Sequence, residues 1–244
     1  ISPLFHRYNA KRGSICVWTT FSEDQVDLNF KNPQVLIKIL DTLLFYVSKG
    51  ARILRLDAVG FMWKESGTSC IHLSETHALI KLMRLVLRSV QPDLLLLTET
   101  NVPHRENVSY FGNGDEADMV YNFTLPPLTA YTLLSGNTLP LSKWLSELKV
   151  PYDTVCFFNF LASHDGVGVR PVLNILDDAD VQLIVEAAKA NGGLVSYKAE
   201  SDGTSTPYEI NSNYLSLLCG PEKDIELGLK RFLLAHGLLL AMPG

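Results

Sequence analysis

The sequence is poor in the residues that build covalent or metal cross-links. Its four cysteines, Cys16, Cys70, Cys156 and Cys219, are scattered and form no Cys-x-x-Cys pair. Their spacing signals neither a disulfide framework nor a zinc site, and a reduced, cytoplasmic compartment is expected. No run of Lys and Arg interleaved with aromatics occurs, and 21 basic against 26 acidic residues leave a net charge of −5. That gives no electrostatic footprint for nucleic acid. The longest apolar runs, Leu43 to Val47 and Phe232 to Met242, fall short of the roughly 20 residues that span a bilayer, so no membrane partner is expected. No signal peptide opens the chain, but the first residue is Ile1, and Phe232 to Pro243 stops without polar caps; both ends are expected to be cuts through a larger protein.

What is present is a sizeable apolar inventory, 47% of 244 residues, enough for a large core in one α/β domain or two small ones. From Asn32 to Lys49 apolar residues recur at helical spacing, with Gly50 as a stop, and Ile71 to Val90 repeats the pattern before Pro92. After each comes a short apolar run ending in an acid: Ile53 to Leu56 into Asp57, and Leu94 to Leu97 into Thr98-Glu99. Met119 to Tyr121 and Val155 to Leu161 are further strand candidates, the latter running into Ser163-His164-Asp165, and Leu139 to Leu148 reads as a helix. Short apolar runs between helices are what strands buried on both faces of a parallel sheet look like. After Asp165, glycines and Pro207 punctuate a long excursion with one helical piece, Asp178 to Ala190. Lys223 to Leu240 is again helical. No internal repeat is visible.

Asp57, Glu99 and Asp165 thus each follow a strand candidate. In a parallel barrel those strand ends share one face, so the three carboxylates are expected to converge. Carboxylates repel when ionised together, and convergence serves metal binding or acid/base work with separated pKa values. Retaining glycoside chemistry needs such a pair, roughly 5 Å apart, one as nucleophile and one as general acid. Arg55 precedes Asp57 by two residues and points to the same side of the strand, where a guanidinium keeps the acid ionised. His164 is placed to donate to a sugar hydroxyl. His72 and His77 read as structural or solvent-facing residues of the second helix, and Cys70 and Cys156 as packing residues. Phe61 and Trp63 read as packing behind the nucleophile rather than a sugar platform.

Arg55-Leu56-Asp57-Ala58-Val59-Gly60, Leu97-Thr98-Glu99-Thr100-Asn101 and Phe160-Leu161-Ala162-Ser163-His164-Asp165 resemble, in order and spacing, three motifs of the α-amylase superfamily, and Gln25-Val26-Asp27-Leu28-Asn29 resembles a fourth. Trp18-Thr19-Thr20-Phe21-Ser22, Trp63-Lys64-Glu65, Gly67-Thr68-Ser69-Cys70 and Tyr208-Glu209-Ile210-Asn211 look like the sucrose phosphorylase subfamily. Asn101-Val102-Pro103-His104 and Trp63-Lys64 resemble its glucosylglycerate phosphorylase group.

The resemblance implies that Asp57 forms a covalent glucosyl intermediate, that Glu99 protonates the leaving oxygen, and that Asp165 with His164 binds ring hydroxyls. It also implies that inorganic phosphate, rather than water, intercepts the intermediate to give α-glucose 1-phosphate. Lys64, Arg105 and Arg170 are then candidates for phosphate or acceptor contacts, with a solvated loop charge as the equal alternative for each. The implied partners are a small sugar substrate and inorganic phosphate, with no cofactor and no metal.

The implied architecture is a partial TIM (β/α)8 barrel lacking its first strands and its last, with at most five strands in register. Residues 1–30 are the end of an inserted small domain, 31–165 the catalytic barrel, 166–213 a lid-like insertion after the seventh strand, and 214–244 the return to the barrel. A hydrolase or transglucosidase of the same superfamily resembles the same three motifs. A non-catalytic relative is disfavoured by retention of all three acids, and the chain by itself is expected to be inactive if the missing strands are needed.

Overall fold

Four short apolar runs, separated by helices, make a parallel sheet that carries the whole arrangement. The structure is a computed structural model and describes residues 4–11, 13–199 and 203–244. The chain opens with an antiparallel hairpin of β1 (Phe5–Ala10) and β2 (Gly13–Trp18). Next comes α1 (Pro33–Ser48), begun by the Asn32 side chain accepting from the Gln34 N–H, with Pro33 in the first turn where no amide hydrogen is needed. It leads into β3 (Ile53–Leu56). The second long helix, α2 (Ser74–Val90), is followed by β4 (Leu95–Thr98), the short α3 (His104–Val108) and β5 (Met119–Tyr121). Two further helices, α4 (Leu125–Ser135) and α5 (Leu139–Glu147), precede β6 (Cys156–Phe158).

The parallel order is β3-β4-β5-β6. Its register sets Leu56 beside Thr98 and Thr98 beside Val120, so the strand ends lie level and the residues after them emerge together. Leu54, Leu96, Val120 and Phe157 each bury a large side chain in the layers beneath; every such burial contributes about 1.5–3 kcal/mol. Leu43 of α1 and Met83 and Leu87 of α2 close one side of the sheet over Leu54, Leu94 and Leu96.

Strand and helix ends depart modestly from the sequence reading. Four strands form the parallel sheet, within the five at most expected. The expected strand Val155 to Leu161 narrows to Cys156–Phe158. The helix expected from Ile71 starts only at Ser74, because Cys70 (φ 55°) and His72 (φ 57°) take left-handed backbone and Leu73 is extended.

One polar clasp ties α2 to the sheet. The Asp118 carboxylate, 1% exposed, accepts from Arg84 and Arg88, each at 2.7 Å, and from the Leu96 backbone N–H at 2.8 Å. A carboxylate this deep is tolerable only with all its lone pairs occupied. Asp118→Ala leaves Arg84 buried without its counter-charge, and a loss of about 3–5 kcal/mol is expected in a denaturant titration.

After β6 the chain forms β7 (Val167–Gly168), α6 (Asp178–Ala190), β8 (Leu194–Ala199) and β9 (Ser205–Asn211), then α7 (Tyr214–Leu218) and α8 (Ile225–Ala241). The order β7-β9-β8 is antiparallel throughout. A reciprocal capping box between Asp177 and Asp180 starts α6. Val167, Val169, Val181, Ile184 and Val185 of this excursion share one core with Leu125 and Leu128 of α4, Leu217 of α7 and Ala235 of α8. No helix among the described residues is long and apolar enough to cross a membrane.

Candidate active site

The level strand ends of the parallel sheet set the geometry. Asp57 follows β3 directly and Glu99 follows β4, and the Glu99 N–H donates to the Leu56 carbonyl at 2.9 Å as one more rung of the ladder. The Ala58 N–H in turn donates to Glu99 Oε2 at 3.1 Å. That bond comes from the residue next to Asp57, which holds Ala58 in left-handed backbone (φ 48°), so the two carboxyl-bearing segments are stitched to each other on neighbouring strands. The loop after Glu99 is fixed from below, where Thr100 donates to Asn107 at 2.8 Å and Asn107 donates to the Tyr121 carbonyl at 2.7 Å.

Asp57 and Glu99 have contrasting surroundings. The Asp57 side chain is 69% exposed and pairs with Arg55 Nη1 at 2.9 Å. Arg55 reaches over β4 to β5, its Nε donating to the Tyr121 hydroxyl at 3.1 Å and its guanidinium lying 5.6 Å from that ring. Glu99 is mostly buried, and its carboxyl is held above the ordinary glutamate range. Burial is the main cause; the Ala58 N–H and Arg55 oppose it, and the neighbouring charges of Asp57 and Asp165 add to it. One acid is open and paired with a cation, while the other is enclosed and has its carboxyl pushed upward by burial. That is the separation that acid/base chemistry with two carboxyls requires.

Asp165 arrives by a different route from the one expected. It does not end a strand; it sits seven residues beyond β6, in a turn closed by the Gly166 N–H donating to the Ser163 carbonyl at 3.1 Å. Gly166 has φ 89°, and a methyl group there would lie 2.3 Å from the Ile210 carbonyl oxygen, so only glycine lets the turn press against β9. His164 Nε2 lies 3.1 Å from Asp165 Oδ2 with its side chain open to solvent. Asp57, Glu99 and Asp165 line one cavity of about 250 Å³ together with Asn101, Tyr208 and Glu209. A second cleft of about 480 Å³ shares Phe21, Ala58, Glu99, Asn101 and Tyr208 with it and extends to Phe61, His72, Glu106, Arg170 and Lys198. Among the described residues, no group of three or more His, Cys, Asp or Glu side chains is arranged to hold a metal ion.

The three cations named as anion contacts part company. Arg170 lines the larger cleft with Glu99. Lys64 is nearly buried and pairs with Asp27 at 2.6 Å, where Asp27 also accepts from the Thr20 N–H and hydroxyl; its ammonium ties the N-terminal segment to the loop after β3 and does not face the larger cleft. Arg105 is exposed on α3 and lines neither cavity. Of the two aromatics, Phe61 lines the larger cleft and meets Phe21 edge-on at 5.3 Å, whereas Trp63 lies outside both cavities.

Sequence reasoning missed two side chains here. Glu209 appeared only as part of a four-residue motif, yet it lies in the cavity with the three acids. Its carboxyl is pushed up to about 7 by burial first and then by the charges of Asp165 and Glu99. Glu209→Gln is therefore expected to remove a titration near pH 7 from the activity profile of the complete protein, read as kcat/KM against pH. His72 is the other. It was read as a helix residue, but it precedes α2 and lines the larger cleft. His77, by contrast, is structural, held by Glu116 at 2.6 Å and stacked on Tyr110.

Comparison with known proteins gives this geometry a context. The family model described as alpha amylase, catalytic domain, matches residues 7–173. The chain is 50% identical over 229 residues to a glucosylglycerate phosphorylase of Escherichia coli, covering 93% of this chain and 41% of the relative. It is 49% identical to one of Allomeiothermus silvanus, covering 99% of this chain and 44% of the relative. The chain thus spans about two fifths of the length of these curated relatives. The crystal structure of sucrose 6F-phosphate phosphorylase from Thermoanaerobacter thermosaccharolyticum superposes with a TM-score of 0.83 at 24% identity, covering all of this chain and 48% of that one. The fold is α/β, of the TIM-barrel type.

Proposed function

The chain belongs to the α-amylase family, and from that footing we propose that it forms the catalytic part of a retaining disaccharide phosphorylase acting on an α-glucoside of the glucosylglycerate type. The observation that carries the reading is the bond from the Ala58 N–H to Glu99 Oε2. It ties a carboxyl that burial holds above the ordinary glutamate range to the segment bearing an exposed, arginine-paired carboxylate on the adjacent strand end, and double displacement with retention uses two such neighbouring carboxyls. The near-half identity to glucosylglycerate phosphorylases of two organisms supports the choice of substrate class.

In this reading Asp57 attacks the anomeric carbon while Glu99 gives its proton to the departing glycerate oxygen, leaving a glucosyl ester on Asp57. Glu99, now ionised, takes a proton from an incoming phosphate, whose oxygen displaces Asp57 and yields α-glucose 1-phosphate. Arg55 holds the Asp57 side chain in place through their ion pair, and Asp165, in the wall of the smaller cavity, holds ring hydroxyls with His164 beside it in the turn. Phosphate enters by the larger cleft, past Arg170. The segment 166–213 acts as the cover that limits water, residues 31–165 and 214–244 belong to the barrel, and residues 1–30 end a small inserted domain.

A hydrolase or transglucosidase is the second reading, favoured by 36% identity over 159 residues to a trehalose synthase/amylase of Mycolicibacterium smegmatis. Incubating the complete protein with glucosylglycerate, sucrose or sucrose phosphate, with and without inorganic phosphate, separates the two. Phosphate-dependent glucose 1-phosphate is the expected product, and phosphate-independent free glucose would overturn the proposal.

A further inference from the structure

His72 occupies an unusual position for a side chain that sequence spacing assigns to a helix. Its backbone is left-handed, at φ 57°, an uncommon conformation for a residue other than glycine and one that histidine enters more readily than most. What holds it is its own N–H, which donates to the Gly60 carbonyl at 3.0 Å. The imidazole is thereby brought over the loop that follows Asp57, into the wall of the larger cleft with Glu99, Asn101, Glu106 and Arg170.

The ring's orientation is set from behind. Nδ1 lies 2.6 Å from the hydroxyl of Tyr110, a residue with no exposed surface. The fully buried Tyr110 hydroxyl keeps its proton, since burial and then Glu116 both raise its pKa. Among the described residues His72 is its hydrogen-bonding partner, and donation from the tyrosine to Nδ1 is the arrangement that leaves no buried hydroxyl proton without an acceptor. In that arrangement the hydrogen of the neutral ring is on Nε2. Burial also holds the imidazole below the ordinary histidine range, with Glu106 opposing and His77 assisting, so the ring stays neutral. His72 lines the larger cleft, and its Nε2 makes no hydrogen bond to a described residue. Gly60 completes the seat: a methyl group there would come within 3.1 Å of His72 Cε1 and 3.2 Å of Nδ1.

We propose that His72 is a specificity-determining residue of the larger cleft, offering its Nε2–H to the small oxyanion that enters or leaves beside Glu99, with Tyr110 as the positioning residue that fixes the tautomer. The oxyanion is the carboxylate-bearing acceptor in one half-reaction and inorganic phosphate in the other. This rests on the phosphorylase reading for the identity of the anions, though not for the geometry of the donor.

The test uses the complete protein with His72→Phe, His72→Gln and Tyr110→Phe. In His72→Phe, the KM for phosphate in phosphorolysis and the KM for glycerate in synthesis from glucose 1-phosphate are expected to rise about tenfold or more, the scale of one hydrogen bond to a charged group. Both rises are expected to exceed any fall in kcat at saturation. His72→Gln, which retains an N–H donor, should recover most of the affinity, and Tyr110→Phe should weaken both anions in the same direction by less. A rise for one anion alone assigns the contact to that half-reaction. Unchanged KM values for both anions, or a kcat loss that glutamine does not rescue, would overturn the proposal. Should His72→Phe not fold, Gly60→Ala displaces the ring without removing it and is read in the same way. If the unaltered protein releases glucose without phosphate, the phosphorylase reading fails. The histidine contact is then scored by whether phosphate and glycerate inhibit His72→Phe less than the unaltered protein.

Discussion

Asp57→Ala in the complete protein is expected to lower kcat for α-glucosides by about four orders of magnitude or more, the scale seen when a covalent nucleophile is removed. The fold should be almost unaffected. Asp57 projects from the end of β3 with most of its side chain in solvent, and its ion pair is with Arg55 two residues away. Removal of a solvent-facing side chain shifts stability by about 0.5 kcal/mol or less. The two measurements belong together: glucose 1-phosphate release by coupled assay, and the denaturant midpoint on the same preparation. Turnover within tenfold of the unaltered protein would remove Asp57 from the nucleophile's role and restore the reading of a non-catalytic relative.

Glu99→Gln should act differently, through protonation. Burial raises the Glu99 carboxyl, so its protonated form persists to higher pH than an exposed glutamate allows. In the proposed mechanism the first step consumes that proton, so kcat/KM is expected to fall as pH rises through the Glu99 pKa, and the basic limb of the profile is assigned to this residue on that reading. In Glu99→Gln the limb is expected to flatten, and the rate on a glucoside with a poor leaving group to fall by about 10²–10⁴. A donor with fluoride as leaving group, which needs no proton, should lose far less in its first step. An unchanged basic limb in the variant would assign the acid to another group. Glu209 is the carboxyl to suspect then, since it lies in the same cavity and is pushed up to about 7.

Much of this site is legible in the sequence because the elements that carry it obey simple periodicities. The helices α1 and α2 each bury one face against the sheet, and that face writes itself as a 3.6-residue repeat. The strands β4 and β5 are largely buried on both faces and read as uninterrupted apolar runs, whereas β3 buries Leu54, exposes Ile53 and Arg55, and reads as an apolar run broken by Arg55. The acid at the end of a run is then visible as the point where that pattern stops. By contrast, α4 was not read as a helix. Leu125 to Thr132 are all buried, so no polar face marks a period, and Pro126 and Pro127 in the first turn look like breakers although no amide hydrogen is needed there.

The excursion after Asp165 was opaque for another reason. Its glycines and Pro207 read as loop punctuation, but β8 and β9 pair across them with a register shift between Ser196 and Tyr197 that breaks strict alternation. Pro207 sits within β9, where pattern reasoning disfavours a strand. Glu209 could not be placed without that pairing. His72 was misread for a local reason, because helical spacing continues backwards from Leu79 through Ile71 while the backbone departs from the helix at Leu73. The identity of Asp165 was legible, but its seat in a turn was not. That seat depends on Ile210, 44 residues further on, whose carbonyl fills the space above Gly166.

That contact gears two parts of the active site together. Gly166 can approach Ile210 only because it lacks a side chain, and immediately beyond it Val167 pairs with Ile210 and Gly168 with Glu209. Asp165, in the turn just before β7, and Glu209, within β9, are therefore coupled through the pairing of those two strands. Sliding β7 by one residue against β9 would turn alternate side chains to the opposite face, carrying Glu209 out of the cavity while the turn at Gly166 pulled Asp165 away from it. The strand register that seats Glu209 in the cavity is thus the same register against which the Asp165 turn closes.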